Sequence, residues 1–177
     1  MDLMESTPFK FDLELIKQDV KWILKKHNLS QVGLTHSITV TEQAEKIVES
    51  TGTNYNYDTG VYRFKETDFT EFNEEFKQLY LYEVYKTIPE IGRFRIMNMP
   101  GPSAYSIHKD LSKRYHIAVE TNTDCLFMFP GLKENYHIPA DGNVYLLDTR
   151  FRHTFLNGSK SIRTHLVLDD ISTLRNP

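Results

Sequence analysis

The pattern of apolar and polar positions changes character near residue 90. Before that point the chain reads mostly as helices. Phe11, Leu13, Ile16, Val20, Ile23 and Leu24 recur at helical spacing, which predicts a helix from about Asp12 to Lys26, ended by Asn28. A short strand is expected over Val32–Ile38, followed by a weaker, exposed helix over Thr39–Ser50. TGTNYNYDTG is turn-rich and polar and reads as a loop, with GVYRF a short strand after it. A longer helix is expected from Thr70-Glu71, with Phe72, Phe76, Leu79, Tyr80, Val84 and Ile88 on one face and Pro89 as its stop.

From Gly92 onward short strands alternate with turns. The expected strands are Arg93–Met99, Ala104–His108, Arg114–Glu120, Cys125–Phe129, Tyr136–Pro139, Asn143–Leu147, His153–Leu156 and Ile162–Leu168. PGPS, TNTD, ADGN and NGSK punctuate them. Strands at this spacing predict an α+β, mainly β fold of the jelly-roll kind, with the N-terminal helices packed on one outer face. The expected organisation is a single domain over 1–177. Residues 1–90 would supply helical support and lid segments, and 91–170 the β core.

Composition narrows the function classes. The net charge of −3 over 177 residues gives no basic surface for nucleic acid or anionic membranes. One cysteine, Cys125, excludes an internal disulfide, and its apolar surroundings read as a buried small hydrophobe. No apolar run approaches the roughly 20 residues of a membrane span. The N-terminus lacks the basic and apolar regions of a signal peptide. A cytoplasmic location is the expectation.

The polar faces of the strands carry the chemistry. Successive side chains on a strand point to opposite faces. His108 and Asp110 therefore share a face, as do Arg114, His116 and Ala118. Arg163, His165 and Val167 share one in the last strand. Arginine and histidine occur twice at the same two-residue step, each time opposite an apolar face, a pattern that fits a β-roll lined with an anion site. His153 follows His108 by 45 residues and precedes Arg163 by ten. Two imidazoles and one carboxylate form the facial set of non-haem iron oxygenases, and a buried guanidinium suits a carboxylate. Residues paired across a hairpin share a face, so an odd hairpin loop such as Asn157-Gly158-Ser159 is expected, pairing His153 with Arg163 and turning both to the inner face.

HKD, RYH, RFRHTF and SIRTHLVLDD resemble the aspartyl/asparaginyl β-hydroxylase-like branch of the 2-oxoglutarate and Fe(II)-dependent dioxygenases, over about residues 92–170. The resemblance implies a double-stranded β-helix. It also implies His108, Asp110 and His153 as iron ligands, and Arg163 as partner of the distal carboxylate of 2-oxoglutarate. Arg114 and His116 resemble the RxH pair that faces the co-substrate, and His165 is expected beside them; on the residues alone, Arg114 also reads as a structural partner of Glu120 or Asp110, and His116 and His165 as core histidines. The animal enzyme that names the branch has glycine where this chain has Asp110. The implied reaction is hydroxylation of a C–H bond in an amino acid or a peptide side chain of Asp, Asn or Pro type, with dioxygen as the other partner. Arg93, Arg95, Asn98, Ser103, Tyr105, Arg152 and the loop Thr51–Phe64 are the expected specificity positions. Two other classes carry the same scaffold: a cupin-like metal enzyme without 2-oxoglutarate, which has no use for a buried dicarboxylate clamp, and a non-catalytic jelly-roll binding module.

Overall fold

The structure, a computed structural model, describes residues 2–52, 55–56, 58–62 and 64–174. In chain order its strands are β1 (Met4–Lys10), β2 (Gln31–Gly33), β3 (Thr35–His36), β4 (Tyr55–Asn56), β5 (Val61–Tyr62), β6 (Glu71–Phe72), β7 (Ile91–Met99), β8 (Ser103–Ala104), β9 (Lys113–Glu120), β10 (Cys125–Phe129), β11 (Glu134–Tyr136), β12 (Asn143–Leu147), β13 (Thr154–Asn157) and β14 (Arg163–Asp170). The helices are α1 (Leu13–His27), α2 (Gln43–Glu49) and α3 (Leu81–Thr87).

Two antiparallel sheets face each other. The larger has the order β1-β12-β9-β14-β7-β2 and the smaller β11-β10-β13-β8. From β7 to β10 successive strands alternate between the sheets, and β12, β13 and β14 alternate again. This winding is the jelly roll, or double-stranded β-helix. It is held by registers such as His165 opposite Met97 on β7 and Ala118 on β9.

The period-two pattern sorts the large sheet into two surfaces. Phe94, Ile96, Tyr115, Ile117, Leu166 and Leu168 point outward into a core shared with Ile16, Val20 and Ile23 of α1 and Leu81 and Val84 of α3. Each of these aliphatic side chains contributes roughly 1.5–3 kcal/mol by burial. The N-terminal helices thus cover the outer face, as the pattern predicts. Asp12 starts α1 by accepting from the amides of Glu14 and Leu15 at 2.9 and 3.2 Å. Asn28 ends it at φ 52°.

Several expectations need correction. The helix expected from Thr70 to Ile88 is only α3. Residues 71–72 pair with β3, and Asn73 is fully buried. The Asn73 amide nitrogen donates to Gly33 O at 2.9 Å and its backbone N–H to Leu34 O at 2.8 Å, so the segment is pinned extended. The strand expected over Val32–Ile38 is split into β2 and β3, and helix α2 is shorter than Thr39–Ser50. Met4–Lys10, to which the sequence pattern assigned no element, form edge strand β1. Pro8 is tolerated there, where the pairing with β12 is irregular between Ser6 and Lys10. The TGTNYNYDTG loop contains β4 and leads into β5, while residues 53, 54, 57 and 63 lie outside the described residues.

There is no hairpin between His153 and Arg163. β13 pairs with β10 and β8, and β14 pairs with β7 and β9. The chain crosses between the sheets, so the odd-loop argument has no pair to act on. Among the described residues no helix is long and apolar enough to cross a membrane.

Candidate metal centre and anion pocket

The inner face of the large sheet is unusually polar. Arg93, Arg95 and Met97 come from β7, Arg114, His116 and Ala118 from β9, and Arg163, His165, Val167 and Asp169 from β14. All of these except the half-buried Met97 are buried. The facing small sheet supplies Phe127, Phe129 and Phe155, which form an apolar wall with Met99 and Leu147.

His108 and His153 meet through a two-residue antiparallel bridge beside β13. Each backbone N–H donates to the other's carbonyl, at 3.0 and 2.9 Å. The two rings lie 4.4 Å apart at their centroids, and Phe127 stacks on His153 at 4.9 Å. His108 Nδ1 lies 2.7 Å from Ser106 O, and His153 Nδ1 lies 2.9 Å from Phe151 O. A carbonyl can only accept, so Nδ1 carries the proton in both rings and each Nε2 presents a lone pair. Burial pushes the His153 imidazole down from its ordinary pKa, against the pull of Asp110, which favours the neutral, ligating form.

Asp110 completes the group. Its Oδ2 is 3.6 Å from His153 Nε2, and its Oδ1 is 4.0 Å from His108 Nε2. One ligand atom from each of the three residues lies within 4.8 Å of the others, the only such cluster among the described residues. Burial alone would raise the Asp110 pKa. Arg114, His153, His108 and Arg95 outweigh it and hold the carboxyl at about 2. Two imidazole nitrogens and one carboxylate on one side of a point suit a divalent first-row metal such as Fe(II).

Two cavities open from this group. One, of about 100 Å³, is lined by His108, Asp110 and His153 at one end and by His116, Phe155 and Arg163 further in. The Arg163 guanidinium is fully buried and lies 3.7 Å from the centroid of Phe155. Its Nε and Nη2 have no acceptor among the described residues, and burial pushes its pKa down to about 9. His116 and His165 flank this region with their rings 5.8 Å apart, and neither ring nitrogen of either has a partner among the described residues. Burial and the nearby Arg163 push both well down, so both are neutral imidazoles.

The second cavity, about 440 Å³, lies between Gln31, Gly52, Tyr62, Phe64, Arg93, Arg95 and Lys109. Of the expected specificity positions, Arg93, Arg95 and Tyr105 line it, together with Gly52, Tyr62 and Phe64 from the expected loop. Asn98 instead accepts from Thr164 Oγ1 at 2.8 Å on the outer side of the sheet. Ser103 is bonded to Pro100 O, and Arg152 is exposed.

Sequence reasoning missed two buried carboxylates. Asp169 accepts from Arg93 Nε and Arg95 Nη2 at 2.7 Å each and is ion-paired with Arg114. It continues the inward series Arg163, His165, Val167, so carrying the period two residues further would have found it. Glu66 accepts from Ser112 Oγ at 2.6 Å and from Arg114 Nη2 at 2.7 Å. Nothing near it in the sequence signals this, because the contacts span 46 and 48 residues.

No protein-family model matches the sequence, and no curated protein matches it. Among solved structures the chain is similar to a viral collagen prolyl hydroxylase of Paramecium bursaria Chlorella virus 1, solved as a 2OG complex. The identity is 9% and the TM-score 0.52, over 95% of this chain and 94% of that one. At that identity the likeness establishes the fold: an antiparallel jelly roll of the kind on which that hydroxylase is built.

Proposed function

We propose that this protein is a 2-oxoglutarate- and Fe(II)-dependent dioxygenase that hydroxylates a C–H bond of an amino acid or a peptide side chain. The observation that carries this reading is Arg163, a buried cation with two unsatisfied donors in the cavity that ends at His108, Asp110 and His153. A buried, unpaired charge is costly, so an anion belongs there. The donors at the other end fit a metal. A short dicarboxylate that chelates the metal and reaches Arg163 meets both demands. The solved structure of similar fold, itself a 2OG complex, agrees with this choice.

Bound together, Fe(II), 2-oxoglutarate and dioxygen supply the oxidising chemistry, which ends with one oxygen atom in succinate, one in the hydroxylated product, and CO2 released. The chain's own residues bind and orient. His108 and His153 offer Nε2 lone pairs fixed by their Nδ1–H bonds, and Asp110 stays ionised down to about pH 2. Arg163 takes the distal carboxylate, with neutral His116 and His165 able to donate or accept beside it. Phe127, Phe129 and Phe155 keep that end dry, where electrostatic contacts are strongest. The wider cavity takes the substrate. Arg95 borders it with its Nε buried and without an acceptor among the described residues, which suits a carboxylate-bearing substrate of the aspartyl/asparaginyl type.

The test is succinate formation from 2-oxoglutarate by the iron-loaded protein across a panel of amino acids and acidic or neutral peptides. Stimulation by carboxylate-bearing substrates is expected. Turnover confined to uncharged substrates would remove the substrate assignment, and no 2-oxoglutarate consumption under any condition would remove the activity.

A further inference from the structure

The resemblance assigns Arg114 to the co-substrate, yet both terminal nitrogens of its guanidinium face carboxylates of this chain, and only Nε is buried without an acceptor among the described residues. Nη2 lies 2.7 Å from Glu66 Oε1 and 3.2 Å from Asp110 Oδ1, and Nη1 is ion-paired with Asp169 Oδ1. Arg114 is 3% exposed and Asp169 is fully buried. The anchors are themselves anchored. Asp169 is gripped by Arg93 and Arg95, and the second oxygen of Glu66 is held by Ser112 Oγ at 2.6 Å. The loop between Asp110 and Arg114 is also tied from the other side. Thr149 Oγ1 donates to Ser112 O at 2.6 Å, and the Asp110 N–H donates to Thr149 O at 2.9 Å.

We infer that Glu66 and Asp169, acting through Arg114, are positioning residues for the metal-ligating carboxylate of Asp110. The inference rests on the metal-centre reading above. Arg114 holds Oδ1 and leaves Oδ2 on the side of His153 Nε2. Two anionic anchors keep the guanidinium from closing fully on Asp110, because one nitrogen, Nη2, is shared between Glu66 and Asp110. Loss of the Glu66 charge frees Nη2 to pair with Asp110, in competition with the metal. The turn that carries Glu66 sits directly on β7: a Cβ on Gly92 would overlap the Glu66 carbonyl oxygen, so only glycine lets that turn come so close. Phe64, two residues before Glu66, borders the substrate cavity, so the metal ligand and the cavity wall share one anchor.

The experiment uses Co(II), which is stable in air, as the metal probe. Its affinity is measured by calorimetry and by its visible absorption for wild type, Glu66→Gln, Arg114→Lys and the double variant. The affinity of the Co(II)-loaded proteins for 2-oxoglutarate and the melting temperatures of the metal-free proteins are measured in parallel. Glu66→Gln should weaken Co(II) binding by about 10–100-fold, the usual effect of losing a partner of a metal ligand, with 2-oxoglutarate affinity changed less than about twofold. The double variant should lose little more than the worse single one, because the residues act in series. Unchanged Co(II) affinity in Glu66→Gln, with or without a lowered melting temperature, would overturn the inference. So would weakened 2-oxoglutarate binding at unchanged Co(II) affinity, which is the signature of a co-substrate clamp. Failure of the wild type to bind Co(II) would overturn the metal-centre reading and the inference with it.

Discussion

Arg163 shows how much a single side chain can decide. A guanidinium sealed against Phe155 without an anion destabilises the fold that contains it. Arg163→Met should therefore leave the protein as stable or more stable, by about 1–3 kcal/mol in urea melts, while abolishing 2-oxoglutarate binding. A large loss of stability would mean that the arginine has a structural partner. Asp148 makes the opposite case. Arg150 grips its carboxylate with Nε and Nη2 at 2.6 and 2.7 Å, at the turn that delivers His153. That bond to Arg150 holds the Asp148 carboxyl below its ordinary 3.8. A depressed folded pKa gives stability that is present above 3.8 and lost as pH falls through the folded value. Asp148→Asn should cost about 1 kcal/mol at neutral pH, and the gap to wild type should shrink in melts taken from pH 6 down to pH 3. A gap that stays constant would contradict the ion pair. The histidines and arginines of the inner face were legible at this scale because their two-residue step is local. Asp169 fell just past the expected end of its strand. Glu66 was out of reach because its partners lie 46 and 48 residues away.

Among the elements, strands and helices with a local signature were readable. Cys125–Phe129 and Asn143–Leu147 fall where the pattern puts them, and α1 ends at its Asn28 cap. Periodicity failed where one buried polar group overrode it. Phe72, Phe76 and Tyr80 keep helical spacing, but Asn73 spends its amide on Gly33 O and Lys46 O, at 2.9 and 3.4 Å, and holds that stretch open. Asn73→Ala should cost about 1–3 kcal/mol, since it strands buried carbonyls; thermal melts within error of wild type would refute this account of the bend. The missing hairpin is a lesson of the same kind. NGSK is a good turn signal, but turn residues do not say whether the strands on either side share a sheet. Here they lie on opposite sheets, and that crossing sets Phe155 of β13 against Arg163 of β14.

At the scale of the whole molecule, the two faces of the large sheet differ in kind. The outer face is apolar and covered by α1 and α3, and the inner face carries Arg93, Arg95, Arg114, Arg163, His116 and His165. Such an interior needs anions, some from Asp169, Glu66 and Asp110 and the remainder from a ligand. Ligand binding should therefore stabilise the fold: with Co(II) present, 2-oxoglutarate at 100 times its Kd should add about 2.7 kcal/mol to the unfolding free energy, and an equal concentration of a monocarboxylate should add far less. A jelly roll was readable from strand spacing, and four short motifs pointed to the use proposed for it. Arg93 and Arg95 were expected beside the substrate, but their shared hold on Asp169 emerged only from the pairing of β7 with β14. The central claim is most directly tested by anaerobic titration of the Fe(II)-loaded protein with 2-oxoglutarate, watched for the visible iron-to-2-oxoglutarate charge-transfer band. The account predicts a saturable band in the wild type that is absent in His108→Ala and in Arg163→Met. Iron bound without any band in the wild type, or a band that survives Arg163→Met at unchanged affinity, would contradict it.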